Sequence, residues 1–165
     1  LDTGSPVSLG DGSTYHLDGI TCQTQPSLLL YSWESVRACI PFGASALIGT
    51  DRLEQSAFKL DVRDSTFEWI PALKNGKHLK RMTGIPLVDI HLMDTEYSFF
   101  LDTGASITYV TDENILSSCT RVGDVEDFHP LIGKFTSPLY EAMIVFAGET
   151  VSTKIGVLPR LFSMS

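Results

Sequence analysis

The chain has 165 residues, 43% hydrophobic and 19% charged, the balance of a folded globular protein of one ordinary domain or two small ones. A net charge of −8 and a pI near 4.8 set it against polyanions, so nucleic acid and anionic membrane surfaces are not expected partners. No apolar run is long enough to span a bilayer, and CxxC pairs, a helical His pair at i, i+4, GxSxG, a P-loop and GxGxxG are all absent.

In chain order, alternation and β-branched or aromatic content predict strands at Val7–Leu9, Tyr15–Thr21, Leu28–Trp33, Phe58–Val62 and Thr66–Ile70. Turn signals stand at Gly10-Asp11-Gly12, Asp64-Ser65 and Asn75-Gly76. The basic cluster Lys74, Lys77, His78, Lys80 and Arg81 surrounds that last turn and reads as a solvated linker. Strands follow at Pro86–Leu92, Tyr97–Leu101, Ile107–Val110, Met143–Phe146 and Thr150–Val157, with a turn at Met93-Asp94. Helix is scarce. Thr111-Asp112-Glu113 opens one capped turn through Leu116, and Ala46–Gln55 holds another. Cys22, Cys39 and Cys119 are odd in number, which leaves at least one thiol free.

The chain repeats itself. Leu1-Asp2-Thr3-Gly4-Ser5 recurs 100 residues later as Leu101-Asp102-Thr103-Gly104-Ala105. A given tripeptide turns up in roughly one chain in fifty of this length, so two copies in one apolar-to-small context are not a chance event. A softer match sets residues 29–36 against Ile144–Val151, at an offset of 115 that leaves 15 extra residues in the second half. The expected organisation is a lobe over 1–72, a linker over 73–84 and a related lobe over 85–165, the whole reading as a segment cropped at both ends.

Hydrolysing an amide with two carboxyl groups requires one to take a proton from water while the other, protonated, polarises the carbonyl. Two acids close enough to share a proton have their pKa values driven apart by repulsion. Asp is short enough to be held by nearby backbone N–H groups, and a glycine two residues on lets the loop turn tightly around it. The intervening threonine is stiff, and its hydroxyl can bond across to the other loop.

With these motifs the chain resembles the retropepsin-like and pepsin-like aspartic peptidases, in the tandem, bacterial-type arrangement. Their signature is an apolar residue, then Asp-Thr/Ser-Gly-Ser/Thr/Ala. A second signature, two apolar residues and a glycine, is matched by Leu47-Ile48-Gly49, with Thr50-Asp51-Arg52-Leu53 continuing it. The resemblance implies two acid-protease-like β-barrel lobes with short helices, and Asp2 and Asp102 as the catalytic pair. Thr3 and Thr103 would tie the two loops together, and Gly4 and Gly104 would allow the turns. Ser5 would donate to the Asp2 carboxylate, which Ala105 cannot do for Asp102, and that difference implies a milder acid optimum.

Further expectations follow from the resemblance. The extra segment around Glu126–Leu139 is a candidate flap over a substrate. Ile155-Gly156 repeats the apolar-Gly pattern, but the alignment sets it against Cys39-Ile40-Pro41, so a second copy is expected beyond Ser165. The partner is a peptide or protein substrate added as an extended strand, with no cofactor, no metal and no homo-oligomer required, since the lobes pair within the chain. The alternative is a catalytically silent peptide-binding or dimerisation module on the same fold. Trp33, Trp69 and Tyr109 read as core residues.

Overall fold

The computed structural model describes residues 1–28, 31–40, 43–71, 79–129 and 132–159. Its contacts divide the chain into two compact units: Leu1–Val88 with Phe100–Gly104, and Asp89–Phe99 with Ala105–Ser165. The fold is mainly β with short helical turns. Much of the expected linker, including Lys74–His78 and Asn75-Gly76, lies outside the described residues.

In the first unit, β1 (Thr14–Leu17) and β2 (Ile20–Gln23) form an antiparallel hairpin. The single strand expected over Tyr15–Thr21 is broken at Asp18-Gly19, both at positive φ, because Asp-Gly between apolar residues favours a two-residue hairpin turn. Two short strands, β3 (Ser27–Leu28) and β4 (Tyr31–Ser32), lead into helix α1 (Trp33–Arg37). That helix replaces the end of the strand expected over Leu28–Trp33. Ser32 caps it by accepting from the Ser35 N–H at 3.3 Å, with Glu34 in the first turn and Arg37 in the last. Trp33 and Val36, three apart on one face, then go into the core. Helix α2 (Thr50–Leu53) follows, then the hairpin β5 (Ala57–Asp61) and β6 (Thr66–Ile70), and β7 (Arg81–Met82) against the start of β8 (Ile85–Leu92).

Two apolar clusters hold this unit. Leu9, Trp33 and Val36 gather Val7, Leu28, Ile40 and Leu47. Cys22, Ile48 and Leu53 gather Tyr15, Leu17, Phe58, Phe67 and Trp69. Phe67 and Trp69 meet edge to face at 4.9 Å, and the Trp69 indole N–H donates to the Leu17 carbonyl at 3.1 Å. Trp33 is therefore core, as expected, and Trp69 packs partly buried against the second cluster.

In the second unit, β9 (Thr95–Phe100) pairs with β8, and β10 (Thr108–Val110) pairs in parallel with β13 (Glu149–Val157). A 3₁₀ turn at Glu113–Leu116 is capped by Asp112, as its sequence indicates. The long strands β11 (Thr120–His129) and β12 (Gly133–Phe146) form a hairpin, and β12 continues beside β13 and touches β8. Leu92, Val110, Leu116, Ala142 and Ile155 are its buried core.

Three expectations are corrected. The sheets do not close into barrels: β1–β2, β3–β4 and β5–β6 remain separate two-stranded ladders packed through side chains, and the largest sheet is open. The softer repeat pairs unlike structures. Trp33–Val36 is helical, whereas the matching Gly148–Val151 runs from a positive-φ turn residue into β13. Its offset therefore does not mark an insertion, and the candidate flap Glu126–Leu139 is the outer part of the β11–β12 hairpin. Ile155 and Gly156 lie within β13, beside Thr108 and Tyr109.

Candidate functional site

The two Asp-Thr-Gly loops meet within the first unit. Each carboxylate is first held by its own loop: Gly4 N–H donates to Asp2 Oδ1 at 2.8 Å, and Gly104 N–H to Asp102 Oδ1 at 2.8 Å. The loops then grip each other. Thr3 N–H donates to Thr103 Oγ1 at 3.1 Å, and Thr103 N–H returns the bond to Thr3 Oγ1 at 3.0 Å. Each hydroxyl also reaches the carbonyl preceding the opposite aspartate, Thr3 to Leu101 at 2.5 Å and Thr103 to Leu1 at 3.2 Å. Each of these bonds in one loop has its counterpart in the other.

The glycines are required by this approach. A Cβ on Gly104 would stand 2.7 Å from Asp2 Cγ, and one on Gly4 would overlap the Asp102 carboxylate, 2.6 Å from its Oδ1. Each carboxyl group thus packs against the glycine of the opposite loop, which brings the two aspartates into electrostatic contact.

Behind the first loop runs the Leu47-Ile48-Gly49 segment. Asp2 N–H donates to the Ile48 carbonyl at 3.0 Å, and Leu9 and Leu47 exchange backbone bonds at 2.9 and 2.8 Å. Gly49 passes so close that a Cβ there would lie 2.8 Å from the Ser5 carbonyl oxygen. Thr50 donates to that same oxygen through its N–H at 2.9 Å and its hydroxyl at 3.2 Å. Buried Ser8 accepts from Gly49 N–H at 3.0 Å and donates to Asp51 Oδ1 at 2.7 Å. Sequence reasoning gave no part to Ser8, and placed Thr50 only as the start of the segment that continues Leu47-Ile48-Gly49. The signal for Ser8 is a small hydroxyl between Val7 and Leu9, where a buried polar group must find partners.

Burial, then the Asp102 charge and its hydrogen bond, push the Asp2 carboxyl up to about 7 from an ordinary 3.8, against the Gly4 N–H, which favours the ionised form. The role expected of Ser5 is corrected. Its buried hydroxyl donates to the Val7 carbonyl at 2.7 Å, not to Asp2, because the loop turns inward at Ser5 and leaves that carbonyl beside it. Ala105 is exposed and belongs to the second unit.

No family model matches the chain, and no curated protein matches it. Among the described residues, no three His, Cys, Asp or Glu side chains converge as metal ligands, the three cysteines are free, and no helix is long and apolar enough to cross a membrane.

Proposed function

We propose that Asp2 and Asp102 form the dyad of an aspartic endopeptidase, each half of the sequence contributing one loop of a two-lobed, acid-protease-like architecture. The observation that carries this reading is the reciprocal threonine lattice, which joins two glycine turns that each hold an aspartate carboxylate against the other loop's glycine. Asp2, half-buried and pushed upward, holds the shared proton and directs it at the carbonyl oxygen of the scissile bond. Asp102 takes a proton from a water lodged between the two carboxyl groups, and the resulting hydroxide adds to the carbonyl carbon. Collapse of the tetrahedral intermediate passes that proton to the departing amine. The substrate is a peptide in extended form, and the β11–β12 hairpin is the candidate flap.

The test is cleavage of a mixed peptide library between about pH 4 and 7, read by mass spectrometry with Asp2→Asn and Asp102→Asn as controls. New termini that vanish in both variants support the reading, and termini that persist in either variant reject it. A second reading has its own observation. Asp102, Thr103 and Gly104 are exposed to water, which is poor preorganisation for a dyad and fits a catalytically silent module that binds peptides. Saturable peptide binding without turnover would select it.

A further inference from the structure

The segment behind the Asp2 loop is held by two kinds of bond. Backbone bonds fix it on either side of Gly49: Leu47 exchanges a pair with Leu9, Ile48 accepts from Asp2 N–H, and Thr50 N–H donates to the Ser5 carbonyl. Gly49 lies between them, buried, and its N–H donates to a side chain instead, the Ser8 hydroxyl at 3.0 Å.

Ser8 is fully buried, and its own hydroxyl proton goes to Asp51 Oδ1 at 2.7 Å. A hydroxyl that donates to a carboxylate is oriented and polarised by it, so it accepts more strongly from Gly49 N–H. Asp51 is fixed in turn. It stands in the first turn of α2, its Oδ2 lies 3.8 Å from Arg52 Nε, and its carbonyl accepts from Gln55 Nε2 at 2.9 Å. Gly49 N–H, Ser8 and Asp51 thus form one line from the backbone behind Asp2 to a carboxylate on a helix.

That line has no substitute in the segment. A side chain at Gly49 is excluded, because a Cβ there would stand 2.6 Å from the Val7 carbonyl carbon. Without the Ser8 hydroxyl, Gly49 N–H is a buried donor lacking its acceptor. It is satisfied only by admitting water or by drawing away from the first loop. Either change wets the layer next to the Asp2–Ile48 bond.

We infer that Ser8 and Asp51 are positioning residues for Asp2, their paired side chains holding Gly49 against the first loop and keeping water out of the layer behind the aspartate. The inference rests on the dyad as the functional site, but its readout is a proton and not a cleaved peptide. The charged groups facing Asp2 are Asp102, which favours its protonated form, and the Leu1 amino group, which with Gly4 N–H favours the ionised form. Ser8 carries no charge, so replacing it acts on Asp2 through burial, the largest upward influence on that carboxyl group.

Carboxyl-carbon NMR of the whole ¹³C-labelled chain tests it, following the upper titration step of the Asp2–Asp102 pair, with Asp2→Asn to identify that step. In Ser8→Ala the step should fall by about one pH unit, a tenfold loss of proton affinity. Asp51→Ala should lower it too, whereas Asp51→Asn, which drops the charge and keeps an acceptor oxygen, should stay close to the wild type. Ser137→Ala removes the other fully buried serine hydroxyl, which accepts from Val157 N–H in the second unit, and should leave the step unmoved whatever stability it costs. Asp51 is partly exposed, so its two variants decide the matter if Ser8→Ala does not fold. The inference is overturned if Ser8→Ala or Asp51→Ala titrates as the wild type. It is equally overturned if Asp51→Asn shifts the step as far as Asp51→Ala, which assigns the effect to charge, or if Ser137→Ala shifts it as far as Ser8→Ala, which reports general loosening. Failure to cleave peptides would reject the peptidase reading and leave this titration result as it stands.

Discussion

The two Asp-Thr-Gly loops share a hydrogen-bond pattern but differ in their surroundings. The first is backed by Ile48 and Thr50, with Thr3 at 5% and Ser5 at 6% exposure, whereas Asp102, Thr103 and Gly104 all face water. Sequence identity over three residues sets the local geometry, since glycine turns and threonine hydroxyls make the same bonds wherever two such loops meet. Burial is set by what lies behind each loop, and that makes the two carboxyl groups chemically unequal.

The largest effect that sharpens this comparison is on turnover. Asp2→Asn and Asp102→Asn should each lower peptide cleavage by about 10²–10⁴-fold, because either change removes a proton-transfer partner. A variant retaining wild-type rates would break the dyad. Next come the threonines, whose bonds are matched one for one. Thr3→Val should cost about 1–3 kcal/mol in denaturant unfolding, since both bonds its hydroxyl makes, to the Leu101 carbonyl and from the Thr103 N–H, are partly shielded from water. Thr103→Val removes one partly shielded bond, from the Thr3 N–H, and one exposed bond to the Leu1 carbonyl, where water replaces it, and should cost about 0.5–1.5 kcal/mol. Equal losses would mean that burial does not distinguish the loops.

The pH dependence of stability gives a smaller effect. Asp2 in the folded chain titrates near 7, above its ordinary 3.8, so the folded state binds this proton more tightly than the unfolded state. That contribution is complete below about pH 4 and is lost as pH rises through about 7. The melting temperature of the wild-type chain should therefore fall more steeply across that window than that of Asp2→Asn. Parallel slopes would show that Asp2 is not the group responsible. Activity, if the peptidase reading holds, should decline over the same alkaline limb.

The smallest expected effect is that of Ser5→Ala. The Ser5 hydroxyl serves the Val7 carbonyl, so its loss should leave the pH–rate profile unmoved while reducing stability by about 0.5–1.5 kcal/mol. A shift of the profile would restore the donor role that the sequence suggests.

Much of the site was legible because it is local and repeated. Asp-Thr-Gly fixes its own turn, and the exact recurrence at Leu101 points to the pairing of Thr3 with Thr103. The buried support was less visible. Ser8 and Thr50 are ordinary residues in sequence, and only the approach of Gly49 to Ser5 and Val7 gives them partners. In the fold, alternation found β5, β6 and β8, where apolar and polar residues separate cleanly onto two faces. It missed β11, whose acids at Asp124, Glu126 and Asp127 dilute the apolar signal, and it carried the strand from Leu28 through Trp33, the first residue of α1, because Trp33 has high β propensity. The Ser32 cap outweighed that propensity. The softer repeat failed for a related reason: apolar residues with a glutamate and a hydroxyl occur equally in a helix and across a strand turn.

The threonine lattice has a further consequence for how the chain acquires its shape. Its bonds join residues 98 to 102 apart in sequence, whereas the first loop's contacts with Ile48 and Thr50 span fewer than half as many. Closing a long segment costs entropy before any bond repays it, so the loop pair should assemble after the first unit's own clusters have formed. On a ribosome adding about 5–20 residues per second, the first motif emerges roughly 5–20 s before the second. For that interval Asp2 and Thr3 wait without their counterparts, and the newly made chain passes through a state that holds half of a dyad and cannot yet act as one.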